Sequence, residues 1–272
     1  MIAYLNAPIF EFQTFEIIVL LICGLMFGSF ASALTYRVPR NLPWVTKGKS
    51  EHGLRSACPS CKTLLKPRDL IPLLSWASSK GQCRHCAQPI PKTYPACELL
   101  TLLGCVGIYA IYGMTWFSLP FFLMIPFLIA LMMIDFEHMI LPNQLVAIIF
   151  ALGLVALTMR ILSGESPDIT ASLLIYIGGA CLFGVFAWAL GFIMEKLLKK
   201  EALGFGDVKF FAAVGVWVGI PAIGAFCIAS GFIGVALALV WKSRTGEAVF
   251  PFGPALILSF YTVLLLQGSH FL

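Results

Sequence analysis

Long apolar runs, separated by short polar punctuation, fill most of this chain. A helix needs about 20 predominantly apolar residues to cross the hydrocarbon of a bilayer. The runs predict about eight spans, at 15–36, 94–112, 114–134, 144–162, 171–194, 207–219, 222–241 and 252–268. The sixth is the shortest and is expected to be tilted or partly re-entrant. One stretch breaks the pattern: residues 37–93 are polar, basic and rich in Cys and Pro. The expected organisation is a first span over 1–36, a polar insertion over 37–93 and a seven-span body over 94–272. Neither an internal repeat nor a low-complexity tract is visible.

Composition agrees with this pattern. With 60% hydrophobic and 11% charged residues and a mean hydropathy of +0.93, the 272-residue chain reads as an all-α polytopic membrane protein. The first run lacks the basic start of a signal peptide and continues into a basic loop, so it reads as a retained span. The basic residues then give an orientation. With the spans drawn as above, 17 of the 18 Lys and Arg fall on one side and only Arg160 falls opposite. Short loops keep Lys and Arg in the cytoplasm. The insertion is therefore expected inside and the amino terminus outside. The net charge of +5 is a topology signal, and it suits acidic lipid headgroups better than nucleic acid.

Cysteine spacing adds chemistry to the insertion. Cys58-Pro-Ser-Cys61 and Cys83-Arg-His-Cys86 are two Cys-x-x-Cys pairs, which read as a four-thiolate tetrahedral zinc site. Four ligands leave no open position, so the zinc is expected to be structural. A reducing cytoplasm argues against disulfides. His85 is expected to face solvent or the backbone. Cys23, Cys97, Cys105, Cys181 and Cys227 lie in or beside spans, where a cysteine is usually a small packing residue.

Two aspartates carry the rest of the chemistry. Asp135 ends the third span, in Met133-Ile-Asp-Phe-Glu-His-Met-Ile-Leu-Pro142, and Asp207 begins the sixth, in Gly204-Phe-Gly-Asp-Val-Lys209. A carboxylate near hydrocarbon is costly and survives when it faces a partner or a wet cavity. Two carboxylates sharing a site hold one proton between them. Water activation for peptide hydrolysis needs that arrangement, with one group taking a proton and the other donating one. The pattern points to a membrane-embedded aspartic protease. Glu137 is expected to face the interface, because two positions along a helix point about 200° apart. Gly204 and Gly206 are expected to allow positive φ before the aspartate and close approach of an extended substrate.

Taken together, these residues resemble the bacterial type IV prepilin peptidases, the GxGD class of intramembrane aspartic proteases, over nearly the whole chain. The resemblance lies in Gly28-Ser29-Phe30 with Arg37 and Pro39, in the two cysteine pairs, and in Ile71-Pro-Leu-Leu-Ser-Trp76. It continues in Tyr94-Pro95 with Glu98, Asp135 with Leu141-Pro142, Gly204-Phe-Gly-Asp-x-Lys209 and Pro251-Phe-Gly-Pro254. It implies cleavage of the short basic leader from prepilins or pseudopilins of pili or type II secretion, at the cytoplasmic face of the bacterial inner membrane. It also implies N-methylation of the new amino terminus from S-adenosylmethionine. Asp135 and Asp207 would be catalytic, Gly204, Gly206 and Lys209 would support the motif, and Cys58, Cys61, Cys83 and Cys86 would hold the metal. Acidic groups that could receive the leader are Glu51, Asp69, Glu98, Glu137, Glu201 and Glu247.

Two positions depart from the family pattern. Ser32 stands where Asn is common, and Lys92 where Arg is common. Lys lacks the planar fork of Arg. The alternatives are a peptidase without methyl transfer, a proton-coupled transporter that uses the aspartates as a relay, and a scaffold whose zinc module binds a partner.

Overall fold

A computed structural model describes residues 14–45, 55–163, 168–199, 203–247 and 249–269. Among the described residues, eight helices of 14 residues or more stand where the eight apolar runs lie. Six are long and apolar enough to cross a membrane, and Gly253–Gly268 is a shorter apolar helix. The chain is a multi-pass membrane protein. It divides into two compact units, Met1–Ser118 and Leu119–Leu272.

The first unit contains α1 (Thr14–Arg37), the short α2 (Leu74–Ser78) and α3 (Thr93–Tyr112). α1 packs on α3. Cys97 and Cys105 are buried, as expected of cysteines that only pack. The Tyr109 hydroxyl donates to the Glu16 carboxylate, tying the far ends of the two helices together. α3 stops at Gly113, whose φ of +66° no β-carbon-bearing residue adopts easily. Between α1 and α3 lies the four-cysteine segment, with two short antiparallel bridges at Ala57–Leu64 and Gln82–Pro89.

The described helices of the second unit are α4 (Leu119–His138), α5 (Asn143–Leu162), α6 (Ile169–Leu198), α7 (Phe205–Val218), α8 (Ile223–Thr245) and α9 (Gly253–Gly268). α7 forms its centre, packed against α5, α6 and α9. Phe210, Phe211 and every residue from Ala213 to Val218 are buried. At about 1.5 Å per residue this helix is shorter than the roughly 30 Å of bilayer hydrocarbon, as the short sixth run led one to expect. Its length is set by Gly204 at one end and by Gly219, with φ of +73°, before Pro221 at the other. α6 and α7 cross at Gly179 and Gly215, where a β-carbon on either would strike the other's backbone. The Asp168 carboxylate caps α6 by accepting the Thr170 and Ala171 amides.

One boundary differs from the expected span at 114–134. Residues 114–118 form a turn in which Ser118 Oγ accepts the Thr115 amide at 2.9 Å. The helix therefore starts at Leu119 and carries Asp135 inside its last turn.

Candidate active site and metal centre

Asp135 and Asp207 lie in the same unit, on α4 and α7, 72 positions apart in the chain. Asp207 lies close enough to Asp135 to feel its charge. Asp135 is buried, at 5% exposure, and Asp207 is half-buried. The pair has one enclosed and one more accessible member.

Asp135 has a partner that no spacing in the sequence announces. The main-chain N–H of Gly253 donates to Asp135 Oδ2 at 2.8 Å. Gly253 opens α9, where a helix's first amides lack intrahelical acceptors and are free to serve a carboxylate. A β-carbon at Gly253 would lie 2.7 Å from the same oxygen, so only glycine fits without moving the carboxylate. Pro251-Phe252-Gly253-Pro254 thus brings an orphan amide to Asp135. Phe252 helps anchor this turn, because its ring lies against Gly234 of α8.

Leu141 is the wedge between the motifs. It is buried, and β-carbons placed at Gly206 and Gly253 would lie 3.1 and 3.0 Å from its side chain. Neither Gly204 nor Gly206 adopts positive φ; Gly204 has φ of −65° as the N-cap of α7. The expectation of positive φ is corrected: the helix begins immediately at Phe205. Gly206 matters because it lets Leu141 approach. Gly204 faces Asp207, whose Oδ2 would lie 3.3 Å from a β-carbon there.

Lys209 does not bond to either aspartate. Its Nζ donates to Asn143 Oδ1 at 2.8 Å and sits 4.5 Å over the Phe205 ring, joining α7 to the start of α5. Glu137 is exposed and lies 3.9 Å from His138 Nε2, facing away from the pair as its helical position requires. Among the other acids named as leader receptors, Glu98 is buried, Asp69 lies 3.5 Å from Arg84, and Glu247 is exposed. Glu51 and Glu201 lie outside the described residues.

The four cysteines form a second constellation, in the first unit. The sulfurs of Cys58, Cys61, Cys83 and Cys86 all lie within 4.8 Å of one another and could bind a metal ion. The two turns match in detail. Lys62 N donates to Cys58 O, and Ala87 N donates to Cys83 O, each at 2.9 Å. Lys62 and Ala87, each just after the second cysteine of its pair, share φ of +57° and +56°. Cys58 and Cys86 sulfurs stand 3.9 Å apart. A tetrahedral zinc with arms of about 2.3 Å has sulfur–sulfur edges of about 3.8 Å, so the donor set fits that ion. Hydrogen bonds from the Thr63 side chain and main chain bring the Cys61 thiol down to about 6. Cys86 is pushed up to about 11: the Gln88 main chain favours its thiolate, but burial and the other three sulfurs outweigh that. Four crowded thiols resist full ionisation, and a divalent cation removes that resistance. His85 is exposed and is not part of the cluster.

A multi-pass helical body thus carries a pair of carboxylates, and a four-cysteine segment precedes it in the chain. The family model described as Bacterial Peptidase A24 N-terminal domain matches residues 22–112, and that of the Type IV leader peptidase family matches residues 122–239. The gap between the two matches spans the junction of the two structural units. A type 4 prepilin-like proteins leader peptide-processing enzyme of Escherichia coli O78:H11 is 32% identical, over 90% of this chain and 92% of its own. A prepilin leader peptidase/N-methyltransferase of Aeromonas hydrophila is 32% identical, over 90% and 89%. One of Neisseria gonorrhoeae is 31% identical, over 91% and 90%. No solved structure matches. The chain belongs to the type IV prepilin leader peptidase family, peptidase family A24. Membership makes it a peptidase rather than a transporter or a scaffold.

Proposed function

We propose that this peptidase removes the basic leader of prepilins or pseudopilins through Asp135 and Asp207, and that it then N-methylates the exposed amino terminus from S-adenosylmethionine. The observation that carries the first half is the buried Asp135, oriented by the Gly253 amide and paired with the more accessible Asp207. One carboxylate takes a proton from a water as its oxygen attacks the scissile carbonyl. The other gives its proton to the departing amine, and the peptide bond breaks. An extended segment is needed at the cut, since a hydrogen-bonded helix shields its carbonyls. A half-exposed Asp207 at the start of a helix suits such an approach.

The second half rests on the relatives' names, which join leader peptidase and N-methyltransferase. The four cysteines hold a structural zinc, supported by the matched turns and the sulfur spacing. Its chemistry is to lock residues 55–92 around a point in place of an apolar core; no step of cleavage passes through it. Residues 37–93 form this zinc module and 94–272 the membrane peptidase body, with the module and both aspartates at the cytoplasmic face. The distribution of 17 basic residues on one side supports that orientation.

The test is purified protein with a purified prepilin, with and without S-adenosylmethionine, read by intact mass. The expected product is leader-free pilin, heavier by about 14 Da when the donor is present, one methyl for hydrogen. Leader-free pilin without that increment would remove the methyl-transfer half.

A further inference from the structure

Three motifs take no part in the proposed cleavage: Gly28-Ser29-Phe30, Ile71-Pro-Leu-Leu-Ser-Trp76 and Tyr94-Pro95 with Glu98. All lie in the first unit, where Gly28, Leu73 and Glu98, one from each, meet. Gly28 lets α1 press on α3, since a β-carbon there would lie 2.5 Å from Glu98 Cα. Glu98, only 8% exposed, accepts the Leu73 main-chain N–H on Oε2 at 2.7 Å. Leu73 therefore lies at the depth that Gly28 and Glu98 occupy along the two helices. That depth can be measured on α1. From Glu16, bonded to Tyr109 at the far end, to Arg37 is about 32 Å, close to the roughly 30 Å of bilayer hydrocarbon. On the same scale Gly28 stands about 14 Å short of Arg37, and Glu98 about 8 Å inside the start of α3. The turn at Leu73 is thus beside the membrane-crossing length of both helices.

Irregular backbone at that depth is costly unless its polar groups are paired. Here they are. The amides of Leu70, Leu74, Ser75 and Ala77 donate to the carbonyls of Pro67, Pro72, Ile71 and Leu73, at 2.6–3.1 Å. Pro72 has no amide to satisfy. The amide of Leu73, a residue held at φ of +58°, goes to Glu98 instead. The side chains suit lipid as well. Residues 70–79 carry no charged side chain, and the exposed Lys66, Arg68 and Lys80 flank them. Asp69, just before them, is drawn to Arg84. Leu74 is 68% exposed and Ile71 48%, a cost in water that vanishes among acyl chains. On the spanning α3, Leu99, next to Glu98, and Leu103 are exposed too. Trp76 ties the turn back to the four-cysteine segment, its Nε1 donating to Ile90 O at 3.3 Å.

We propose that this turn enters the leaflet on the Arg37 side of the membrane, with Ile71 and Leu74 among the lipid acyl chains and Lys66, Arg68 and Lys80 at the headgroups. Glu98 is its positioning residue, supplying the acceptor that the turn itself lacks. The flanking cations suit lipid phosphates and disfavour a second copy of this chain, which would bring the same three charges. The inference needs neither the cleavage nor the methyl-transfer reading; it rests on α1 and α3 crossing the membrane.

Photolabelling of the full-length protein, in nanodiscs of phosphatidylcholine with phosphatidylglycerol, tests this. The photoreactive residue p-benzoylphenylalanine replaces Leu74 in one variant and Leu103 in another, and adducts are read by intact mass. Zinc content per chain checks folding. The Leu74 variant is expected to form lipid adducts within about twofold of the Leu103 yield, as a side chain among acyl chains should. Glu98→Ala, added to each, strips the Leu73 amide of its acceptor. It is expected to lower lipid labelling from position 74 at least about fivefold while labelling from 103 persists, because an unpaired amide is driven out of hydrocarbon. Glu98→Gln, whose side-chain oxygen still accepts, should restore it. Absence of lipid adducts from position 74, or links to a second copy or to added prepilin in their place, would overturn the proposal. Labelling unchanged by Glu98→Ala would overturn the role given to Glu98.

Discussion

The thiol cluster and the carboxylate pair are the two side-chain constellations on which the proposed function rests, and they are assembled by opposite means. The four cysteines come from a stretch of 29 residues, in two turns with the same hydrogen bonds and the same left-handed residue. The carboxylates come from helices 72 positions apart, and the amide that orients one of them comes from 118 positions away. A metal can organise a segment with little core, because each ligand bond replaces packing. A carboxylate pair in an apolar body needs the packing first. The thiol site is thus local and able to bind a metal, whereas the carboxylate site depends on distant helices staying in register.

That contrast is easiest to break at Gly253. Gly253→Val places branched carbon where Asp135 Oδ2 already lies within 2.7 Å of a β-carbon position. Misplacement of a reacting group by about 1 Å can cost on the order of 100-fold in rate. Leader cleavage by this variant is expected to fall at least that far with zinc content unchanged. Gly253→Ala should fall between it and wild type, a gradation that initial-rate measurements would show. A Val variant with normal turnover would mean that the Gly253 amide does not position Asp135.

Removing the metal tests the other centre. Cys58→Ser, or chelation, is expected to abolish stoichiometric zinc and to accelerate amide exchange first at Lys62 and Ala87, whose N–H groups close the two turns. Protection that survives chelation would show that the turns hold without an ion. A smaller effect is expected from Lys209→Met, which unties α7 from Asn143. Cleavage should drop a few-fold, and Asn143→Ala added to it should cost little more, because neighbours sharing one bond are non-additive. Smallest of all is Glu137→Gln. This exposed group pairs only loosely with His138, and its variant should cleave within about twofold of wild type, as surface changes usually do.

What the sequence disclosed follows the same division. Cys-x-x-Cys spacing and an aspartate at the edge of an apolar run are local signals. Cys58, Cys61, Cys83 and Cys86, which the fold gathers, and the candidate pair Asp135 and Asp207 could therefore be named residue by residue. The eight helices were legible for the same reason, down to the short one bounded by Gly204 and Gly219. The start of α4 was misplaced because Thr115–Ser118 is apolar enough to read as helix while its hydroxyls fold it into a turn. Gly204 and Gly206 read as turn glycines, yet both stand at φ that other residues share; what Gly206 supplies is room for Leu141, a long-range fact. The bond from Gly253 to Asp135 belongs to the same class.

The most direct measurement is the rate of leader removal from a purified prepilin by wild type, Asp135→Asn and Asp207→Asn, each with its zinc content determined. Both variants are expected to lose cleavage by at least about 1,000-fold, as expected when one member of an acid–base pair can no longer exchange its proton, while the metal stays bound. Normal cleavage by either variant would contradict the paired-aspartate account.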